Sequence, residues 1–148
     1  MKAFRNAAGL IVAFFSVTAL VRSAGPQQRP PDIFFVGTPQ PVVLAMLKLA
    51  RVTADAVVYD LGSGDGRVVI LAAQQYGARG VGIELQPHLV EASRQIAREG
   101  EVADRVAFIE GDLFAADISA ATVVTLWLSR SVNARAAQRA GELYPGLQ

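Results

Sequence analysis

Four short apolar runs punctuate the middle of the chain: Ala56 to Asp60, Gly80 to Glu84, Arg105 to Glu110 and Thr122 to Leu128. They read as strands, and the first, Ala56 to Asp60, is apolar on both faces, as a strand buried in a parallel sheet should be. The stretches between and after them are helical. Arg67 to Tyr76 is one, and Gly77 is placed to close it. Pro87 to Glu99 is another, with Leu89, Val90, Ala92, Ser93, Ile96 and Ala97 on its inward face and Gly100 as its stop. A last helix runs from about Val132 to Leu143 and breaks at Pro145-Gly146. Ahead of the first strand, Thr38 and Pro39 signal a helix start, an N-cap hydroxyl with proline at the first helical position. That helix extends to about Arg51, with a broad apolar face of Val42, Val43, Met46, Leu47 and Leu49. The order β-α-β-α-β-(short link)-β-α predicts an α/β fold of right-handed parallel β-α-β units.

The first 25 residues follow another pattern. Lys2 and Arg5 make a basic start, and Asn6 to Val21 runs 16 residues without a charge. Arg22 ends the run, and the small residues Ser23, Ala24 and Gly25 follow. Basic start, apolar centre and small-residue end are the layout of a secretory signal peptide, with an uncleaved membrane anchor as the alternative. The expectation is therefore an exported or membrane-anchored chain whose N-terminal segment contacts the membrane. Residues 26–37 read as a linker, because three prolines between Pro26 and Pro31 exclude both a helix and a central strand. The domain proper is expected over 38–148.

Composition narrows the chemistry. The 148 residues allow one domain, and 52% of them are apolar. The formal net charge is only +1, which gives no electrostatic case for nucleic acid as a partner. There is no cysteine and one histidine, His88. Disulfides and cysteine metal sites are thereby excluded, and no metal site is expected. His88 follows Pro87 at a helix start and reads as structural.

The candidate site lies after the first strand. In an open α/β sheet, ligands bind outside the carboxyl ends of the strands, near the topological switch point. Asp60, Glu84 and Asp112 lie at or just past three such ends, 24 and then 28 residues apart, each about one β-α-β step. The loop Gly62-Ser63-Gly64-Asp65-Gly66 lets the main chain turn tightly and approach a ligand, and the helix start behind it offers N–H donors. Glu84 follows Gly62 by 22 residues, the separation of an acid that takes the ribose hydroxyls of a nucleoside cofactor. The glycine spacing is G-x-G-x-G rather than the G-x-G-x-x-G of dinucleotide enzymes. Asp65 inside the loop would repel a pyrophosphate, whereas a zwitterionic amino-acid moiety tolerates it better. This favours S-adenosyl-L-methionine over NAD.

At this point the sequence resembles the class I S-adenosylmethionine-dependent methyltransferases. Val58 to Gly66 looks like their first motif, Val81-Gly82-Ile83-Glu84 like their second-strand acid, and Glu110-Gly111-Asp112-Leu113 like the motif after the third strand. Thr38-Pro39-Gln40-Pro41-Val42-Val43 together with Tyr59 to Arg67 is similar to the FAM173-like group of protein-lysine methyltransferases and their bacterial homologues. The resemblance implies a Rossmann-like sheet and S-adenosyl-L-methionine as cofactor. It also implies that Gly62, Ser63, Gly64, Asp65 and Gly66 hold the methionine part, with Asp60 near its amino group. Glu84 would take both ribose hydroxyls, Asp112 the adenine amine, and Leu113 would pack on the ring. Leu126, Trp127 and Leu128 would lie in the substrate and methyl-transfer region. No general base stands out.

Each residue also has a plainer reading. The glycines serve as turn residues, Asp60 as a helix cap, Glu84 and Asp112 as solvated loop acids, Trp127 as a core or subunit contact, and Arg67 as an ion-pair partner. The family sheet has seven strands and the pattern supplies about four, so a C-terminally truncated sheet is expected, with the fourth strand an edge that a partner could complete. The leading expectation is a methyltransferase, with protein lysine as acceptor. Its rivals are a truncated, non-catalytic module that binds S-adenosylmethionine or a partner, and an NAD-type oxidoreductase.

Overall fold

The computed structural model describes residues 37–144. The expected leader or anchor, the linker up to residue 36 and the break at Pro145-Gly146 lie outside the described residues. The elements are α1 (Gln40–Leu49), β1 (Val57–Leu61), α2 (Arg67–Tyr76), β2 (Arg79–Glu84), α3 (Pro87–Glu99), β3 (Val106–Glu110), β4 (Val123–Thr125) and α4 (Arg130–Leu143). No helix among them is long and apolar enough to cross a membrane.

The described strands form one parallel sheet in the order β3-β2-β1-β4. The chain steps outward from β1 to β2 to β3, then returns to the far side of β1 as β4. The switch point therefore falls between β1 and β4. The reversal also divides the faces. Val58 of β1 joins the main core with Val69, Val90 and Phe108, beneath α2 and α3. Tyr59 and Leu61 point the other way, into a smaller cluster with Ile83 and Ile118 that the 111–122 link and the end of α4 cover.

Two glycines set how closely the first face packs. A Cβ added to Gly80 of β2 would lie 2.6 Å from Cβ of Val69, and one on Gly82 would lie 2.6 Å from Ser63 Oγ and 2.8 Å from Phe108 Cδ1. Bare backbone at alternate positions of β2 thus lets α2 and the loop before it settle on the sheet.

The boundaries depart from the sequence expectation in instructive places. The fourth strand stops at Thr125 instead of Leu128, because its register pairs Thr125 with Asp60 and β1 then turns into the glycine loop. Beyond that point no neighbour remains on that side to pair with. Helix α1 begins at Gln40 with Pro39 as its N-cap and no side-chain cap, so Thr38 is not the capping residue. Thr38 is buried instead, and its carbonyl accepts from Arg67. The apolar face of α1 is narrower than expected, with Val43 and Leu47 buried and Leu49 86% exposed. On α3, Leu89, Val90, Ser93 and Ala97 are buried, while Ile96 is exposed at the edge of the stripe. Ser129 caps α4 and accepts from Val132 N, so that helix begins two residues before Val132.

Gly80→Ala should cost about 1–3 kcal/mol, since the new methyl group meets a β-branched side chain and backbone instead of a movable side-chain end. Gly111→Ala, where nothing lies within 4 Å of the added Cβ, should be near neutral. Urea unfolding of the two variants measures the difference.

Candidate functional site

The glycine loop leaves β1 at Leu61 and enters α2 at Arg67. Gly62, Gly64 and Gly66 all take left-handed backbone, with φ of 84°, 56° and 77°. That conformation is strained for any residue with a Cβ, and the surroundings tighten the requirement at two of them. A Cβ on Gly62 would lie 2.7 Å from Cδ2 of Leu128, and one on Gly66 would collide with Cε1 of Phe108. The loop is thus held between β3 on one side and the end of β4 on the other.

Its N–H groups are largely engaged within the protein. Gly62 N and Ser63 N both donate to Ile83 O at 2.9 Å, and Gly64 N donates to Glu84 Oε2 at 2.9 Å. Three of them thus fix the loop to β2, and the N–H donors expected from the helix start belong to α2. No side chain caps the N-terminus of α2. Ser63 is buried over Gly82, and its Oγ has no hydrogen-bond partner among the described residues. Its side chain faces the sheet and acts as a small spacer there.

The three acids expected to converge stand at the carboxyl ends of neighbouring strands, in different settings. Asp60 is 4% exposed. Thr125 Oγ1 donates to its Oδ1 at 2.7 Å. Burial pushes the Asp60 carboxyl up to about 6; the Thr125 hydrogen bond pulls down, and the nearby charges of Glu84 and Asp65 push up further. Glu84 is also buried, and its two oxygens accept from Gly64 N and Gln86 N, both at 2.9 Å. Asp112 sits one strand further out, at the half-buried start of the link, where its Oδ1 accepts from Phe114 N at 2.9 Å. The backbone there is tied to β2 by Gly111 N donating to Glu84 O at 2.9 Å. Leu113 beside it packs on the smaller cluster. The acids are not arranged as a metal-binding group among the described residues.

Asp65 does not act as a lone charge in the loop. Its carboxylate takes Arg67 Nε at 2.9 Å and the Arg67 NH2 group at 2.5 Å. The same guanidinium donates through NH1 to Thr38 O at 2.8 Å. Arg67 is therefore an ion-pair partner that also ties the segment before α1 to the loop. The repulsion expected from Asp65 is offset by this pair, and among the described residues no base pairs with Asp60 or Glu84.

The three residues after β4 separate. Leu126 packs in the smaller cluster, Trp127 is 51% exposed, and Leu128 lies against Gly62 with its N–H donating to Asn133 Oδ1 at 3.1 Å. Trp127 is thus not a core residue. Sequence reasoning missed Thr125, the partner of Asp60, since a threonine inside an apolar strand carries no distinguishing signal. It also missed Phe108 as the support of the loop. The Gly80-x-Gly82 alternation was a readable sign of close backbone approach.

An anionic pyrophosphate would add to the potential that already disfavours ionisation of Asp60, whereas a ligand carrying positive charge would relieve it. The residues present therefore fit a cationic amino-acid and nucleoside ligand.

Comparison with known proteins agrees. The family model described as the ANTKMT methyltransferase domain matches residues 60–147. A protein-lysine N-methyltransferase of Saccharolobus islandicus is 43% identical over 70% of this chain and 65% of its own length. An adenine nucleotide translocase lysine N-methyltransferase of Mus musculus is 35% identical over 85% of this chain and 56% of its own. The chain thus spans between half and two-thirds of the length of these curated relatives. A crystal structure described as an RNA methyltransferase from Salinibacter ruber, in complex with S-adenosyl-L-homocysteine, superposes with a TM-score of 0.71 at 59% identity, covering 72% of this chain and 70% of that one.

The Asp60 carboxyl gives a prediction on stability. A carboxyl whose folded value lies above its unfolded value favours the fold at low pH, and that contribution is lost as pH rises from about 4 through about 6. Asp60→Asn should therefore stabilise the ligand-free protein at pH 7.5 by on the order of 1–3 kcal/mol and change little at pH 4. Urea titrations at the two pH values test this. Equal effects at both would show that Asp60 ionises in the fold without cost.

Proposed function

The chain belongs to the ANTKMT methyltransferase domain family, and from that membership we propose that it is an S-adenosyl-L-methionine-dependent methyltransferase acting on protein lysine. The observation that carries the reading is the loop of left-handed glycines laid beside two buried carboxylates, Asp60 and Glu84, at the switch point of a parallel sheet. Support for lysine comes from the names of the curated relatives, both lysine N-methyltransferases. The Salinibacter ruber protein is named for RNA instead, so the acceptor is the part of this reading that experiment must separate.

S-adenosyl-L-methionine supplies a methyl group on a sulfonium, activated for direct transfer to a nucleophile. The Gly62–Gly66 main chain would cradle the methionine part, with Asp60 taking the ammonium group. Glu84 keeps lone pairs beyond those used by Gly64 N and Gln86 N, and these suit the two ribose hydroxyls. Asp112 and Leu113 stand where the adenine edge and face would be met. Trp127, exposed beyond β4, suits the wall of an acceptor channel. A lysine nucleophile reacts neutral, and an apolar wall favours that form by desolvation. The rest of the protein's task is to align acceptor and donor.

The apolar run from Ala7 to Leu20 supports the accompanying proposal that the chain is exported or held at a membrane through its N-terminus. Fractionation of the native protein, with N-terminal sequencing, tests it.

Titration calorimetry should show S-adenosylhomocysteine binding and no comparable binding of NAD. Glu84→Gln, which can still accept from Gly64 N, should weaken that binding by about tenfold or more while leaving the fold intact by circular dichroism. No binding by the wild-type chain would end the methyltransferase reading. Incubation with methyl-labelled cofactor and either total protein or total RNA should label lysine in protein; label in RNA alone would replace the acceptor. Binding without transfer to either would favour a cofactor-binding module.

A further inference from the structure

Thr125 is nearly buried, on the last residue of β4, directly across the switch point from Asp60. Its hydroxyl lies 2.7 Å from Asp60 Oδ1 and 3.3 Å from the Tyr59 carbonyl oxygen. One hydroxyl proton cannot serve both acceptors, and the shorter contact goes to Asp60. Among the described residues, Thr125 is the only side chain that donates a hydrogen bond to Asp60.

We propose that Thr125 is a positioning residue for the cofactor, whose hydroxyl fixes Asp60 Oδ1 and so aims the remaining carboxylate oxygen at the ammonium group of the methionine moiety. The proposal rests on the function proposed above and deepens it. The surroundings give the hydroxyl this weight. The charged groups acting on Asp60 are Glu84 from β2 and Asp65 from the loop, both acidic, and Arg67 is engaged by Asp65. No described base offsets the burial of Asp60. Thr125 supplies what local compensation there is, through a hydrogen bond that strengthens when its acceptor is ionised.

The geometry also provides for the other protonation state. When Asp60 carries a proton, its own O–H can donate to Thr125 Oγ1, and the Thr125 hydroxyl can turn to the Tyr59 carbonyl. The pair is satisfied in both states, but only the ionised one takes a cation. Valine, of nearly the same shape, can do neither. Removing the hydroxyl therefore raises the pH at which Asp60 becomes able to bind.

The test is calorimetric titration of S-adenosylhomocysteine from pH 5 to 7.5, on wild type, Thr125→Val, Thr125→Ser and Asp60→Asn, with folding checked by circular dichroism. Wild-type affinity should fall as pH drops through about 6, following the Asp60 carboxyl. Thr125→Val should move that fall upward by about one pH unit, weakening binding by about twofold at pH 7 and by up to about tenfold at pH 5. Thr125→Ser should restore the wild-type profile. Asp60→Asn should bind weakly with no such fall, and adding Thr125→Val to it should change nothing further. A Thr125→Val profile that superposes on wild type, or a Thr125→Ser profile like that of valine, would overturn the proposal. If Thr125→Val does not fold, Thr125→Ala, which also lacks the hydroxyl, takes its place in the same titration with the same expected shift. Absence of binding by wild type at every pH would instead count against the proposed function.

Discussion

Two carboxylates buried together at the end of a parallel sheet impose the constraint around which the rest of this domain is built. Asp60 and Glu84 are each less than a tenth exposed, and no described base is placed to neutralise them. Such a pair survives only where hydrogen bonds fix it, and here the two acids are treated differently. Two main-chain N–H groups, of Gly64 and Gln86, donate to Glu84 and fix its side chain and the loop at once. Asp60 receives one hydroxyl and is left close to the edge of ionisation. Stability is surrendered at the position proposed to take the ammonium group, a trade found where binding needs a site strained in its absence.

Close packing makes the arrangement rigid. The glycine loop can lie between Phe108 and Leu128 because it has no side chains at the points of contact. The loop and α2 can lie against β2 because Gly80 and Gly82 are bare as well. Ser93 Oγ of α3 lies 3.0 Å from Gly64 O and 2.8 Å from Leu89 O, with one proton to share between them, so a second helix packs against the middle of the loop. Contacts from β2, β3 and α3 thus leave the loop little freedom of its own.

Much of this was legible in the sequence. The alternation of apolar runs and helical stretches specified the order of elements, and α2 and α3 begin and end where proline, glycine and apolar spacing place them. The spacing of Asp60, Glu84 and Asp112 specified which strand ends meet. Contacts between distant segments were not legible. Thr125 lies 65 residues from Asp60, and nothing in its local sequence marks the partnership. The length of β4 was misread because a run of apolar residues records burial, whereas a strand also needs a neighbour, and β1 withdraws at Leu61. Thr38 had the identity of a cap but serves through its carbonyl. In each case the side chain was visible and its geometry was not.

Arg67 grips the backbone of Thr38 with one nitrogen and the carboxylate of Asp65 with others. It packs so tightly on Gly37 that any larger residue there would displace it. Mechanically, Gly37 and Thr38 are therefore not a loose lead into α1. A pull on Thr38 reaches the turn between β1 and α2 through that guanidinium, beside the path through α1 and its packing on the core. Displacement of these two residues and deformation of the glycine turn are thereby coupled.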